Sequence, residues 1–253
     1  MKTVLITGAA SGIGAATARL FHRQGWQVGL LDINPQALAV LAAELNNAWH
    51  TPLDVTDAQA AECAVSEFCN LHNGQLRLLF NGAGILRCGH FEDIGLAEHA
   101  RILQINVQGL LNMTHVAFPF LRATANAQVI NMGSASGHYG VPHLASYSAS
   151  KFAVRGLTEA LDLEWAKHGI RVADLMPPFV STPMLNNQRF KAPILRRLGV
   201  NLQAEAVAKA AWLQTQSRVV HRPISLQFNL LYWFGQLTPP SITRRIMAWL
   251  SRE

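Results

Sequence analysis

The chain has little charge. Only 14% of its 253 residues are Asp, Glu, Lys or Arg, against 50% hydrophobic. That excludes a disordered or highly solvated chain and leads us to expect one large buried core within a single domain, residues 1–253. Cysteine is scarce and odd in number: Cys63, Cys69 and Cys88. None is paired at metal-ligand spacing, so no metal site is expected and all three read as reduced core thiols. Long hydrophobic runs are missing. The apolar stretch from Leu226 to Leu237 is too short and interrupted for a membrane span, which needs about 20 residues. No signal peptide precedes the first strand, which makes the cytoplasm the expected compartment. Acid is lacking at one end. Residues 189–253 hold ten Lys/Arg and two acids, net +8, whereas residues 1–188 hold eleven and thirteen, net −2. This basic excess contains no aromatic-and-basic cluster and no recognition-helix pattern, so nucleic acid is not an expected partner. Solvated surface arginines account for it.

What the chain does have is alternation. Short β-branched or aliphatic runs begin at residues 3–6, 27–31, 48–53, 76–80, 128–132 and 170–176. Helical patterns fill the gaps, at residues 15–24, 35–45, 57–71, 97–121 and from Tyr147 to about His168. Strand–helix alternation predicts an α/β fold with a Rossmann-type, doubly wound parallel sheet, closed by a helical tail. Residues 201–215 read as a further surface helix.

The first strand runs straight into Thr7-Gly8-Ala9-Ala10-Ser11-Gly12-Ile13-Gly14, and a helix follows. Glycines here permit a tight turn and let backbone N–H groups approach a pyrophosphate at the positive end of the helix. An acidic residue, Asp32, ends the second strand about 20 positions on, placed for the ribose hydroxyls of an adenosine. Ser11 and Ile33 stand where basic residues would favour a 2′-phosphate, so the expected cofactor is NAD rather than NADP. The plainer reading of Asp32 is a cap for the helix at residues 35–45.

Tyr147 and Lys151 are four apart, one turn of a helix from each other. A lysine ammonium beside a phenol lowers a pKa that is normally about 10, and such a tyrosine can serve as general acid or base. Taken alone, the pair is common on solvated helices. Tyr139 has no lysine four residues on and is assigned to the pocket rim. His138 and His143 are the histidines expected near the pocket, also at its rim.

These motifs together resemble those of the short-chain dehydrogenase/reductase family, in order, over roughly residues 3–183. Gly8, Ser11, Gly12, Ile13 and Gly14 resemble its cofactor turn, and Asp54-Val55 its adenine-contacting dipeptide. Asn81-Gly82-Ala83-Gly84 resembles its Asn-Asn-Ala-Gly, with Gly82 as a departure. Asn106 matches the family's helix asparagine. Pro177-Pro178-Phe179-Val180-Ser181-Thr182 resembles its Pro-Gly-x-Val-x-Thr, with Pro178 as a second departure. Ser134, rather than its neighbour Ser136, lies thirteen residues before Tyr147 and completes the resemblance to the catalytic trio.

The resemblance implies Tyr147 as acid/base, Lys151 lowering its pKa and holding the nicotinamide ribose, and Ser134 fixing the substrate oxygen. It implies that Asn106 interrupts its helix and holds a water, and that Pro177, Val180 and Thr182 orient the carboxamide. It also implies direct hydride transfer without a metal, a mobile lid at residues 183–200, and a homodimer or homotetramer. The expected reaction interconverts a secondary alcohol and a ketone on a small lipophilic substrate, since Met184, Leu185, Phe190, Ile194 and Leu195 make a greasy lid. The alternatives are an NADP-dependent carbonyl reductase of the same fold and a non-catalytic NAD-binding redox sensor. The tail, residues 226–253, is read as packing on the protein or on a partner subunit, capping the pocket, or touching a membrane surface; packing is preferred.

Overall fold

The computed structural model describes residues 2–251, with the side chains of Gln236, Leu237 and Pro240 excepted. Strand β1 (Thr3–Thr7) leads to helix α1 (Gly12–Arg23), and β2 (Gln27–Asp32) to α2 (Pro35–Glu44). Strand β3 (His50–Pro52) precedes α3 (Ala58–Asn70), and β4 (Leu78–Asn81) precedes α4 (Leu96–Leu103), which continues into α5 (Leu110–Arg122). Strand β5 (Gln128–Met132), α6 (Ala145–Trp165) and β6 (Arg171–Met176) follow. A ribbon of β7 (Val180–Ser181) and β8 (Leu202–Gln203) brackets α7 (Pro183–Asn186) and α8 (Pro193–Leu198). The chain ends with α9 (Ala204–Gln214), β9 (His221–Pro223), α10 (Leu226–Leu237) and α11 (Pro240–Leu250).

Seven strands form one parallel sheet in the order β3-β2-β1-β4-β5-β6-β9. The order reverses between β1 and β4, and the strand ends on either side of that switch open the crevice where such sheets bind ligands. Strands β1, β4 and β5 are buried along their whole length. Alternate side chains feed opposite faces. Val4, Ile6, Leu30, Phe80 and Ile130 join α1, α2 and α9 in one core, whereas Leu5, Leu31, Leu79 and Val129 join α3 and α5 in the other.

Local signals set the helix starts. Asn34 Oδ1 accepts from the Ala37 N–H at 3.0 Å, with Pro35 at the first helical position, so Asn34 and not Asp32 caps α2. Asp57 caps α3 by accepting from the Ala60 N–H at 2.9 Å.

Two expectations are corrected. Cys63 is exposed, because α3 turns Val65, Phe68 and Cys69 inward and Cys63 outward. Helix α9 is not merely a surface helix: Val207, Ala208 and Ala211 are buried, and its small residues let it lie close on Ala16 of α1. Among the described residues no helix is long and apolar enough to cross a membrane.

Candidate active site

The glycine turn is closed by contacts only glycine allows. Gly8 and Gly12 have φ of +67° and +51°, in the left-handed region. A Cβ on Gly8 would stand 2.9 Å from the Ala83 backbone, and one on Gly14 would stand 2.0 Å from the Gly8 carbonyl oxygen. The departure at Gly82 has the same cause, since its Cβ would meet the Thr7 carbonyl oxygen at 2.6 Å. Thr7 Oγ1 accepts from both the Gly82 and Ala83 N–H groups at 3.1 Å, pinning β4's end to the turn. Ser11 precedes α1 without a side-chain cap bond, so the first N–H groups of that helix keep their donors for an anion.

Asp32 closes the far side of the turn. Its Oδ2 accepts from the Ala10 N–H at 3.0 Å and its Oδ1 from the Asn34 N–H at 2.9 Å. From Asp32 a groove of about 340 Å³ runs past Asp54, Val55 and the glycines to Ser134, Tyr147 and Lys151. Ile13, Gly82, Ala83, Pro177, Val180 and Thr182 line it as well, as does Pro178. Its inner end is apolar, walled by Leu86, Leu144, Phe179, Met184 and Leu185.

Two of the expected residues do not line the groove. Asn81 is buried and gives its amide N–H groups to Thr114 Oγ1 and Asn131 Oδ1, both at 3.0 Å, so its side chain braces β4 against α5 and β5 instead of reaching a cofactor. Asn106 lies behind the site, in a π-helical turn, Gln104–Gly109, that does interrupt the α4–α5 helix. Its Oδ1 accepts from the Ile85 N–H at 2.8 Å, and its Nδ2 donates to the Ile85 carbonyl and to Ser150 Oγ, each at 3.0 Å. The side-chain amide is thus fully engaged, and any water on Asn106 falls to its backbone.

Around Tyr147 the electrostatics differ from the simple expectation. Burial pushes the phenol up to about 12, and a hydrogen bond from Ser134 pulls the other way. The lysine does not offset that rise. Lys151 Nζ donates to the Met132 carbonyl at 2.8 Å and sits 5.4 Å from the centre of the Tyr147 ring, against its face. Burial also draws Lys151 down to about 8, opposed by the charge of Asp174. Ser134 is oriented by Ser136, whose N–H donates to Ser134 Oγ at 3.1 Å and leaves the hydroxyl proton for Tyr147.

His138 and His143 line no part of this groove. His138 borders a separate cavity against α10 and α11, and His143 meets His90 edge-on and packs at a tilt against Phe190. Tyr139 packs on Phe228, and burial raises its phenol to about 12. Sequence reasoning missed Gln188. Its Nε2 donates to the Leu86 and Met184 carbonyls at 3.1 and 2.8 Å, and its Oε1 accepts from the Cys88 N–H at 3.0 Å, latching residues 183–200 to the segment after β4. No local signal marks a glutamine that latches onto backbone atoms 100 and 102 residues away. The tail covers the same end. Phe228 and Tyr232 pack with Ala135 and Met176, while Met247 and Leu250 join Leu185, Ile194 and Leu195.

A nicotinamide dinucleotide fits this groove: three glycines leave no room for a Cβ, an uncapped helix start faces it, and an acid stands at one end. Among the described residues no cluster of His, Cys, Asp or Glu could hold a metal.

Comparisons agree. The family profile for short chain dehydrogenases matches residues 2–192. A 3-alpha-(or 20-beta)-hydroxysteroid dehydrogenase of Mycobacterium bovis is 37% identical over 188 residues, covering 72% of this chain and 70% of that protein. A Burkholderia phymatum short chain dehydrogenase/reductase in complex with NAD superposes with a TM-score of 0.79 at 25% identity, covering 88% of each chain. An actinorhodin polyketide ketoreductase with NADPH superposes with a TM-score of 0.78 at 26% identity, covering 88% of this chain and 95% of that one. The chain is a nicotinamide-dependent oxidoreductase and belongs to the short chain dehydrogenase family.

Proposed function

We propose that this protein is an NAD-dependent oxidoreductase interconverting a secondary alcohol and a ketone on a lipophilic substrate. One observation carries the reading: a single groove joins the Asp32 carboxylate at one end to Tyr147 and Ser134 against an apolar wall at the other. Gly8, Ser11, Gly12, Ile13 and Gly14 would hold the pyrophosphate, Asp54 and Val55 the adenine, and Asp32 the ribose hydroxyls. The held carboxylate of Asp32 would repel a 2′-phosphate. Gly82 and Ala83 would border the middle of the dinucleotide, and Pro177, Val180 and Thr182 its carboxamide. When bound, the cofactor supplies a hydride acceptor or donor, and so the protein needs to provide only position and a proton.

Tyr147 takes the proton from the substrate hydroxyl during oxidation and returns it during reduction. Ser134 holds the reacting oxygen within reach. Lys151 keeps a positive charge beside Tyr147 and binds the nicotinamide ribose. Asn106 braces the Ser150–Lys151 turn from behind. Leu86, Leu144 and the lid residues Met184 and Leu185 exclude water and select apolar substrates. The hydroxysteroid dehydrogenase among the relatives supports a bulky, apolar alcohol. The same reading takes the chain as a single cytoplasmic domain that assembles into a homodimer or homotetramer. Exposed Leu103, Leu111, Phe152 and Leu163, spread over α4, α5 and α6, support a subunit contact there.

The test is fluorescence-detected binding of NADH and NADPH, followed by NAD-linked oxidation of a panel of lipophilic secondary alcohols. NADH should bind better, and Asp32→Ala should erase the preference. Tyr147→Phe should cut turnover by about 10²–10⁴-fold with little change in NADH affinity. Preference for NADPH sinks the cofactor assignment, and substantial turnover by Tyr147→Phe sinks the acid/base assignment.

A further inference from the structure

Helix α10 is apolar on both sides. Phe228 and Tyr232 point inward onto the loop behind Ser134. Leu226, Leu230, Trp233 and Phe234 point outward and remain 79%, 66%, 64% and 53% exposed. Their spacing of four, seven and eight residues from Leu226 gathers them into one stripe about 100° wide. The inner face is covered by the protein itself, so the expected packing of the tail accounts for half of the helix only. Helix α11 continues the surface. Trp249 is exposed and lies 5.7 Å from the Arg197 guanidinium of α8, with Ile242, Arg244 and Arg245 also exposed. Arg244 borders the cavity that α11 shares with Gly235 of α10, which places charge next to the stripe. No acidic residue occurs between Glu205 and Glu253.

We propose that this stripe docks the protein on an anionic lipid surface. Aromatic and aliphatic side chains flanked by arginines, with no acid in the segment, match the boundary between headgroups and acyl chains. Charge decides against a second copy of this chain. A two-fold contact through α10 and α11 would bring Arg244 and Arg245 toward the same residues of the partner, with no carboxylate in the segment to pair them. The exposed apolar residues of α4, α5 and α6 form a separate set on other helices. Docking would place the helices that roof the apolar end of the groove against the phase in which a lipophilic substrate dissolves.

The experiment floats the full-length protein with vesicles of phosphatidylcholine alone and of phosphatidylcholine mixed with phosphatidylglycerol, at low and high salt. Flotation with the anionic vesicles is expected, weakened by salt and weak on the neutral ones. Leu230→Glu/Trp233→Glu should abolish it. Arg244→Gln/Arg245→Gln, which leaves the apolar stripe intact, should weaken it on the order of tenfold to thirtyfold. Retained NADH binding and circular dichroism report that each variant is folded; should the first variant fail there, the second carries the test. Absence of flotation overturns the proposal. So does equal flotation on both vesicle types with no effect of the arginine variant. A mass by light scattering that halves in Leu230→Glu/Trp233→Glu, without flotation of the wild type, assigns the face to a second copy and also overturns it.

Discussion

His221 Nδ1 and Asp174 Oδ1 stand 3.0 Å apart, joining the edge strand β9 to β6, with the Asp174 charge acting on Lys151. His221 Nε2 reaches Glu159 at 2.8 Å, so the ring bridges two carboxylates. Burial opposes charge on His221, but its bonds to Asp174 and Glu159 outweigh that and raise its pKa above 6.5. A raised histidine contributes stability that is fully present below its unfolded value and is lost as pH rises through the folded one. Urea melts at about pH 6 and about pH 7.5, below the range in which Lys151 titrates, should therefore show the wild type losing stability with rising pH. His221→Gln/Asp174→Asn, which removes both titrating partners, should flatten that dependence. An unchanged slope in the double variant would assign it to other groups.

The groove makes a sharper steric prediction. Ala at Gly14 would drive its Cβ to 2.0 Å from a backbone oxygen that has no rotamer to escape into. The turn must open, at a cost of about 1–3 kcal/mol or more, and cofactor affinity should fall at least about tenfold. Gly156 in α6 is the control, with nothing within 4 Å of its Cβ position. Gly156→Ala should leave NADH binding alone and raise stability by about 0.5–1 kcal/mol. Titrating NADH into both variants checks the pair.

How far this site was legible follows from the range of its interactions. Gly8, Asp32, Ser134, Tyr147 and Lys151 could be singled out because strand ends, a glycine turn and one helical turn are local patterns, and the sheet brings those ends to one groove. Lys151 shows what spacing omits: an i,i+4 separation tells that two side chains are neighbours, not that the ammonium lies 5.4 Å from the ring centre with a bond to the Met132 carbonyl. Asn81 shows the same limit, since its position at the end of β4 does not reveal that Thr114 and Asn131 hold its side-chain amide. Cys63 and α9 show the limit in the core, where one residue of helix phase or one small-residue contact decides burial. Gln188 gave no signal, because the two bonds that make it a latch go to backbone atoms of Leu86 and Cys88, far away in the chain.

Gln188 accordingly invites a test of the lid. Its two hydrogen bonds to Leu86 and Cys88 tie residues 183–200 down over the apolar end of the groove, each contributing about 0.5–1.5 kcal/mol. Gln188 itself does not line the groove. Gln188→Ala should raise KM for the alcohol substantially, change kcat less, and leave NADH affinity intact. Limited proteolysis should cut within residues 183–200 faster than in the wild type. Weakened NADH binding would mean that the latch holds the cofactor groove rather than the substrate lid.

Ser134 offers the most direct probe of the proton chemistry. Its hydrogen bond is what pulls Tyr147 down against the upward push of burial. Deleting the hydroxyl in Ser134→Ala removes that pull, so the phenol rises further and less phenolate is present at any given pH. Oxidation requires the phenolate as base, and the alkaline rise of kcat/KM for alcohol oxidation should therefore move to higher pH. Reduction uses the protonated phenol, so its alkaline decline should move to higher pH by the same amount, while the rate falls because the carbonyl oxygen has lost a donor. Measuring both directions across the alkaline range separates the two roles. A uniform loss of rate with no shift of the oxidation profile would show that Ser134 positions the substrate without tuning Tyr147.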